Sequence, residues 1–328
     1  MNRILKIGSR GSPLALRHVE MVRAALSVQF PDLQTELVVI RTSGDWSPSD
    51  GEVRLSEAAG GKAQFAKEIE AALLAGEIDC AVHSMKDMDS VLPDGLVLKH
   101  MLPREDVRDC LLFSGERGRV RADGGIKAIP HGAVVGTASV RRRAVLLAAR
   151  PDLKIVPLRG NVQTRIDKVR AGQVDVSLLA LAGLKRLGLA HEADVVLDIN
   201  DMLPSAGQGA VGIEARCDDD AVLSIFGQIS CAKTVLCVSC EREVLRVLDG
   251  SCHTPIGVYA AIDGGQVSLR IQVNSLDGDA CYKDSARFDA ADMDRALECV
   301  RESARDFAFA FKAQIPDDIF QASLPAGA

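Results

Sequence analysis

The feature that most constrains the fold of this chain is a strand–turn–helix unit that repeats through its first two thirds. Short apolar runs bounded by Gly, Ser and Pro predict strands, and longer runs with a helical apolar period predict the helices between them. The predicted strands are residues 4–7, 37–40, 78–82, 133–135, 155–158 and 174–181, and the predicted helices are residues 14–26, 65–75, 140–149, 161–171 and 183–187. This alternation predicts mostly parallel sheets covered by helices on both faces.

The last third of the chain has a different pattern. Alternating strands at 258–262 and 267–273 are joined across a Gly-containing turn, and Asp277-Gly278 marks a second hairpin before a long helix at 292–312. This is typical of a small α+β domain. Because 328 residues exceed one ordinary core, we expect two or three domains in all. Residues 115–125 are predicted to form a polar surface insertion, and residues 315–328 a loose tail.

Positive charge is concentrated in the second set of repeats. Residues 139–186 contain eleven Lys and Arg against three Asp, in a chain whose formal net charge is −6. Many of these cations fall at predicted strand ends or in the first turns of helices, where ligands bind in doubly wound sheets and where helix N-termini attract anions. The pattern predicts a site for an anion that carries several charges.

Composition argues against other partners. Aromatic residues make up 4% of the chain, with Trp46 the one tryptophan, and the sequence pI is about 5.6. Binding of nucleic acid or of an anionic membrane is therefore not expected. The N-terminus lacks a signal-peptide pattern and the longest apolar run, near 176–184, is too short to cross a bilayer, so we expect a cytoplasmic protein. The nine scattered cysteines are expected to be free thiols.

Two short motifs have competing interpretations. Gly207 to Gly212 fit the dinucleotide pattern G-x-G-x-x-G, but no strand precedes them and no helix start follows, which favours a Gly-rich hinge between domains. Cys237-x-x-Cys240 resembles a redox pair or half a metal site. No second Cys or His pair completes it and the surrounding residues are predicted to be helical, which favours a structural role.

Two further segments could carry chemistry. Lys86 and Asp87 follow a predicted strand, either as a solvated ion pair or as a carboxylate that stabilises a cation and moves a proton. Cys252 lies in a turn between a helix and a strand, either as a buried small residue or as a covalent attachment point. A cysteine protease is disfavoured, because the neighbouring His253 has no evident third residue to orient it.

Eight segments together closely resemble the porphobilinogen deaminase family, whose members are also called hydroxymethylbilane synthases. They occur in the family's order and span nearly the whole chain, so the resemblance is highly specific. The segments are SRGSPLAL at 9–16, GGK at 60–62, AVHSMKD at 81–87, GTASVRR at 136–142, LRGNVQTR at 158–165, AGLKRLGL at 182–189, LPSAGQGA at 203–210 and GSCHTPIG at 250–257.

The resemblance implies an α/β fold with two doubly wound domains like those of periplasmic binding proteins, and a small α+β third domain. The expected boundaries are 1–102 with 209–228 for domain 1, 103–208 for domain 2 and 229–328 for domain 3. It also implies a dipyrromethane cofactor bound to Cys252 through a thioether. The implied reaction joins four porphobilinogen molecules head to tail into hydroxymethylbilane, with release of ammonia, in tetrapyrrole (haem) biosynthesis. The family resemblance favours a monomer that hands its product to uroporphyrinogen-III synthase.

The resemblance also assigns site residues. Asp87 matches the catalytic carboxylate, which would assist ammonia loss, stabilise the azafulvenium cation and help deprotonate the new ring junction. Forked guanidinium groups suit the acetate and propionate groups of the growing pyrrole chain. The positions that match cofactor or substrate binding are Arg10, Ser12, Lys62, Ser84, Lys86, Thr137, Ser139, Arg141, Arg142, Arg159, Arg165, Arg186 and Gln208.

The chain departs from the family pattern at a few of these places. Ala58 stands where many relatives have a second Lys, and Met88-Asp89 replace Val-Pro after the catalytic carboxylate. The rival hypothesis is a non-catalytic anion-binding or ligand-sensing protein with the same two-domain clamp. It explains the basic residues equally well, but not Asp87 at a strand end or Cys252 in a separate domain.

Overall fold

The computed structural model describes residues 4–43, 66–115, 124–248, 254–290 and 293–321. Lys62, Cys252, Ala58, the loop around Trp46 and most of the predicted 115–125 insertion lie outside these ranges. The strands are β1 Leu5–Ser9, β2 Thr35–Val39, β3 Cys80–Ser84, β4 Leu96–Met101, β5 Asp109–Phe113, β6 Val134–Gly136, β7 Lys154–Val156, β8 Val176–Ala180, β9 Val195–Val196, β10 Val211–Arg216, β11 Ile256–Asp263, β12 Gln266–Asn274 and β13 Cys281–Asp289. The helices are α1 Pro13–Gln29, α2 Lys67–Leu74, α3 Val140–Ala149, α4 Val162–Arg170, α5 Leu181–Arg186, α6 Asp220–Gly227, α7 Ala232–Val247, α8 Met293–Lys312 and α9 Asp317–Gln321.

Helix starts follow the capping chemistry of the sequence. Ser12 Oγ accepts a hydrogen bond from the backbone N–H of Ala15 at 3.3 Å, and Pro13 occupies the first helical position of α1, as predicted. Asn161 caps α4 in the same way, its Oδ1 lying 2.9 Å from the N–H of Thr164. Both helices therefore begin within a short turn of the end of the preceding strand, α1 after β1 and α4 after β7.

The first sheet has the strand order β2-β1-β3-β10-β4. Strands β2, β1 and β3 are parallel, whereas β10 is antiparallel to both β3 and β4. Because β10 is antiparallel to both of its neighbours, β4 runs in the same direction as β3, and four of the five strands agree with the predicted mostly parallel sheet. The reversed strand β10 is not among the predicted strands, because its start, Val211-Gly212, belongs to the predicted Gly-rich hinge. The chain returns to this sheet from the second one to add a strand in the opposite direction.

Helices cover both faces of this sheet. Cys80 and Val82 of β3 pack in one apolar cluster with α1 and α6, whereas Ala81 packs in a second cluster with α2. Successive strand residues point to opposite faces, so both faces must be covered to bury them.

The second sheet repeats this plan with the order β7-β6-β8-β5-β9. Strands β7, β6 and β8 are parallel, and β5 is antiparallel to β8. Leu111 of β5 packs against α3 on one face, and Leu112 packs against α4 on the other. Two doubly wound α/β sheets are thus confirmed, and in each of them four strands run in one direction and one strand is reversed.

The third sheet is an antiparallel meander, β11-β12-β13, packed against α7 and α8. It confirms the predicted α+β domain. The described part of the predicted tail, residues 315–321, is more ordered than expected, because Ile315 is buried in this core and α9 follows it; residues 322–328 lie outside the described ranges. The domain boundaries stay a prediction.

No single helix in the described part of the chain is long and apolar enough to span a membrane, although the pair α6 and α7, bent by 114°, passes that test by length and composition.

The segments that connect the two α/β sheets lie side by side. Leu102 donates its N–H to Val211 O, and Glu105 donates its N–H to Gly209 O. Gly209 has φ +83, and a Cβ there would lie 2.4 Å from Glu105 O. Only glycine allows this close crossing without strain.

Candidate active site at the junction of the two α/β sheets

The first group of predicted site residues lies where β1 and β3 end. Arg10 follows β1, Ser84 ends β3, and Lys86 and Asp87 form one turn of 3₁₀ helix after it. Because β1 and β3 are parallel neighbours, these residues share one edge of the sheet. Ser12 lies at the same edge but uses its hydroxyl to cap α1.

Lys86 and Asp87 form an ion pair at this edge. Lys86 Nζ lies 3.3 Å from Asp87 Oδ1, and about a third of each side chain is exposed. The carboxylate of Asp87 is therefore accessible to a ligand while a cation lies beside it. An ion pair with this much exposure adds little to the free energy of folding.

A second group lies at the start of α3. Ser139 is the N-cap, its Oγ accepting from the N–H of Arg142, and the N–H of Ser139 donates to Thr137 Oγ1 at 3.2 Å. Thr137 and Ser139 also line a small surface depression with Arg143 and Val156.

Arg141 and Arg142 enclose a buried carboxylate. Asp109 is fully buried, its Oδ2 lying 2.6 Å from Arg141 Nη2 and its Oδ1 lying 2.7 Å from Arg142 Nη2 and 3.0 Å from Gln208 Nε2. Burial alone would raise the pKa of Asp109, but the two guanidinium groups hold it well below its usual range. Arg142 Nε remains buried without a hydrogen-bond partner among the described residues.

Two further predicted arginines follow β7. Arg159 is buried and Arg165 Nε donates to Gly160 O at 2.8 Å. Lys168 of α4 donates to Arg159 O at 3.0 Å. These bonds fix the turn between β7 and α4, at the same sheet edge as the start of α3, because β6 and β7 are parallel neighbours.

Arg186 connects the two sheets. Its Nη2 donates to Gly209 O at 2.6 Å, and its Nη1 lies 3.1 Å from Nε2 of His18 on α1. Burial followed by Arg186 lowers the pKa of His18 to about 3, while the charge of Asp87 opposes that shift. His18 is thus within electrostatic reach of both Asp87 and Arg186, which places these two predicted site residues at one locus.

Residues 207–209 contact members of three sets of predicted site residues, those near Lys86, near Asp109 and at Arg186. A Cβ on Gly207 would lie 3.2 Å from Lys86 N, the side chain of Gln208 contacts Asp109, and Gly209 O binds Arg186. The Gly-rich run is therefore a tight crossing followed by β10, which agrees with a segment between domains and lacks the helix of a dinucleotide site.

The positive charge of residues 139–186 is less exposed than its count predicts. Besides Arg141 and Arg142, Lys185 lies 2.9 Å from Glu105 Oε1, and Arg170 pairs with Glu192. These acidic partners lie outside the counted segment, so the sequence window overstated the free charge. Arg150 pairs with Asp152, inside the segment.

A second buried carboxylate anchors the third domain. The carboxylate of Glu241 on α7 accepts hydrogen bonds from both terminal nitrogens of Arg104, at 2.7 and 3.0 Å. It also accepts hydrogen bonds from the backbone N–H groups of Gly207 and Ala260. Although burial opposes it, this carboxylate raises the pKa of Arg104. Glu241 thereby links α7 and β11 to the two segments that connect the α/β sheets, at Arg104 and Gly207.

The Cys237-x-x-Cys240 motif has no chemical role in this arrangement. Both thiols are buried and free, and burial raises the pKa of Cys237 to about 11 and that of Cys240 further. High thiol pKa values make them poor nucleophiles and ligands. The predicted structural role agrees with this environment.

An acidic group lies behind the strand that leads to Asp87. His83 Nε2 and Glu214 Oε2 are 2.9 Å apart and buried on the face covered by α2, and Glu70 of α2 is close to both. Burial, followed by the charge of Glu214, raises the pKa of Glu70 to about 7. Asp89, the departure from the family pattern, also contributes to this shift.

We expect Glu70→Gln to stabilise the protein at alkaline pH. A raised carboxyl pKa means that the folded state binds a proton more tightly than the unfolded state between about pH 4.5 and the folded value of about 7. The contribution of Glu70 to the free energy of unfolding of the wild type is therefore fully present below about pH 4.5 and is lost as the pH rises through about 7. Urea unfolding should show the variant gaining on wild type from pH 5 to 8, with Glu77→Gln as an exposed control. A difference that is constant with pH would contradict the assignment.

Several of these residues were missed by sequence reasoning. Asp109 starts a strand of otherwise apolar residues, a pattern that signals a buried ion pair. His18 lies on the buried face of α1, and Glu241 lies on the buried face of α7, where charge needs a partner. Each partner is distant in sequence and was not identifiable.

The comparisons with known proteins cover most of the chain. Residues 5–224 match the family model described as "Porphobilinogen deaminase, dipyromethane cofactor binding domain", and residues 235–308 match "Porphobilinogen deaminase, C-terminal domain". The chain is 43% identical over 311 residues to the chloroplastic porphobilinogen deaminase of Oryza sativa, covering 92% of this chain and 83% of the relative. It is 46% identical over 290 residues to the porphobilinogen deaminase of Nitrobacter winogradskyi, covering 87% and 88%.

Among solved structures, an ancestral cationic amino acid solute binding protein matches with a TM-score of 0.42 and 15% identity, covering 69% of this chain and 88% of that one. The fold assignment rests on the sheets themselves rather than on this match. With two family models that together span almost the whole sequence, and relatives above 40% identity, the chain belongs to the porphobilinogen deaminase family.

Proposed function

We propose that this chain is a porphobilinogen deaminase, which condenses four porphobilinogen molecules head to tail into hydroxymethylbilane and releases ammonia at each step. The observation that carries the proposal is the match of residues 5–224 to the cofactor-binding domain model of that family. This range includes Asp87 and every described residue that we predict to bind substrate or cofactor. The activity belongs to tetrapyrrole biosynthesis and uses a dipyrromethane cofactor.

The described residues suit a cofactor that carries carboxylates. Arg10, Arg165 and Arg186 are only partly buried, so a ligand can approach their side chains. Planar guanidinium groups suit carboxylates because they can donate two parallel hydrogen bonds. We infer that these arginines, with Arg142 and Arg159, hold the acetate and propionate groups of cofactor and product.

Asp87 is the residue that we assign to catalysis. Its accessible carboxylate would accept and return a proton near the departing amine of porphobilinogen, and its negative charge would stabilise the cation left on the substrate. Lys86, 3.3 Å away, would bind a carboxylate of the cofactor, while Ser84, Thr137 and Ser139 would add hydrogen bonds. When bound, the dipyrromethane supplies the nucleophilic pyrrole carbon to which the first substrate is joined.

The remaining assignments are proposals from the family resemblance. Cys252 would hold the cofactor through a thioether, and Lys62 and Gln208 would contact bound ligand; Cys252 and Lys62 lie outside the described residues. We propose a cytoplasmic monomer that hands its product to uroporphyrinogen-III synthase, with the domain boundaries given above. The chain's interaction with porphobilinogen itself follows from the family.

Intact mass and product formation test the proposal together. We expect the active protein to carry one covalent addition of dipyrromethane size, which Cys252→Ala abolishes. The exposed thiol of Cys281 provides a matched control in the same domain, and Cys281→Ala should keep both the addition and the activity. An active protein of unmodified mass would contradict the covalent attachment of the cofactor to Cys252. A modified protein that binds porphobilinogen but releases neither ammonia nor hydroxymethylbilane would instead indicate a ligand-binding protein.

A further inference from the structure

We propose that His18 is a positioning residue that holds the Arg186 guanidinium across the junction of the two α/β sheets, in the orientation from which Arg186 meets a ligand carboxylate. The inference rests on the proposed function in so far as Arg186 binds that carboxylate. His18 itself does not touch the reacting atoms.

The geometry fixes two of the three guanidinium nitrogens of Arg186. Nη1 lies 3.1 Å from His18 Nε2 on α1, and Nη2 lies 2.6 Å from Gly209 O on the crossing segment. Since the guanidinium is planar, fixing these two nitrogens also fixes the direction of Nε–H. That N–H is itself buried, so the whole guanidinium is held in one orientation.

The hydrogen bond determines the protonation state of His18. A guanidinium has only donors, so Nε2 must be the acceptor and the proton of the neutral ring must be on Nδ1. The imidazole is 2% exposed, and Arg186 on α5, Lys86 after β3 and His83 on β3 all disfavour a second proton, with Asp87 as the opposing charge. Burial, followed by the charge of Arg186, lowers the pKa of His18 to about 3, so Nε2 remains an acceptor through the neutral range.

This arrangement has a consequence for the junction between the sheets. Arg186 follows β8 of the second sheet, whereas its two acceptors belong to α1 and to the segment that leads into β10 of the first. Leu14 of α1 also lies beside Gly183 of α5, within 3.6 Å of the position of a Cβ there. The hydrogen bond from Arg186 to His18 is thus the polar part of a contact between α1 and α5. A site that spans both sheets depends on this contact to keep its two halves aligned.

Two variants separate positioning from bulk packing. His18→Leu keeps apolar volume but removes the acceptor, whereas the Oε1 of His18→Gln can reach the place of Nε2 and accept from Arg186. Because a hydrogen bond to a charged group is lost, we expect His18→Leu to raise KM for porphobilinogen about tenfold or more, with kcat changed less than about threefold. His18→Gln should return KM to within about threefold of wild type. Equal KM increases in both variants, or unchanged KM in His18→Leu, would overturn the proposal.

A spectroscopic readout is independent of turnover. In the holoenzyme labelled with ¹⁵N-histidine, the His18 signal, assigned by its loss in His18→Gln, should show a proton on Nδ1 and no titration between pH 5 and 8. In Arg186→Lys the Nε2 shift of His18 should move, since its donor changes. A proton on Nε2, or titration with an ordinary histidine pKa, would contradict the inference. If wild type made no product, the proposed function would fail while this readout still decided whether His18 holds Arg186.

Discussion

Replacing Asp109 with asparagine should destabilise this protein by about 3–5 kcal/mol, the usual cost of removing one partner from a buried ion pair. The carboxylate has no exposed surface and compensates both Arg141 and Arg142, which are themselves buried. Asparagine keeps the shape but leaves two neighbouring guanidinium groups without a counter-charge. Urea-induced unfolding at pH 7 measures the effect directly.

The control for this change is Asp32→Asn, at an exposed position, which should alter stability by less than about 0.5 kcal/mol. Removing one of the uncompensated charges should recover part of the loss, so Asp109→Asn with Arg142→Gln is expected to be more stable than Asp109→Asn alone. A loss no larger than that of the control would mean that the ion pair is unimportant to folding.

The same residue predicts the direction of the acid response. The pKa of Asp109 is lower in the folded than in the unfolded protein, so its contribution is full above about pH 4, its unfolded value, and declines as the pH falls towards the folded value. The stability difference between wild type and Asp109→Asn should therefore narrow below pH 4.

The largest expected effect on catalysis comes from Asp87→Asn. If its carboxylate carries the proton and stabilises the substrate cation, turnover should fall by about 10²–10⁴-fold, the range for loss of a general acid–base group. The partly exposed pair with Lys86 contributes little to stability, so the unfolding curve and the covalent addition that we propose at Cys252 should both be unchanged. Single-turnover release of ammonia, with intact mass on the same sample, separates chemistry from cofactor assembly.

Asp89→Asn is the matched control. Asp89 is a carboxylate two residues further along the chain, and its charge acts to raise the pKa values of Glu70 and Arg242. It should reduce turnover by less than about tenfold. If Asp89→Asn were as slow as Asp87→Asn, or if Asp87→Asn kept wild-type turnover, the assignment of the catalytic carboxylate would have to be abandoned.

Local order in this protein was predictable because it depends on neighbours in sequence. Helix α1 begins with Ser12 as the N-cap and Pro13 at the first helical position, and α4 begins with Asn161 as the N-cap. Each cap depends on a contact between residues three apart in sequence, so both helix starts were predictable. The bounds of α3 agree with the predicted 140–149. The missed strand β10 shows the limit, because its direction and pairing depend on β3 and β4, more than a hundred residues earlier.

The sequence by itself determined the family, the repeated α/β plan, the α+β third domain and the candidate residues, because ordered motifs and apolar periods are properties of the chain. Only the tertiary structure decided the charges at the site. Arg141 and Arg142 find Asp109 more than thirty residues away, Arg104 finds Glu241 at a separation of 137, and Arg186 finds His18 at 168. Electrostatic energy depends on distance and burial in space rather than on position in the chain, so which cations are already paired and which keep a free donor could be read only after folding.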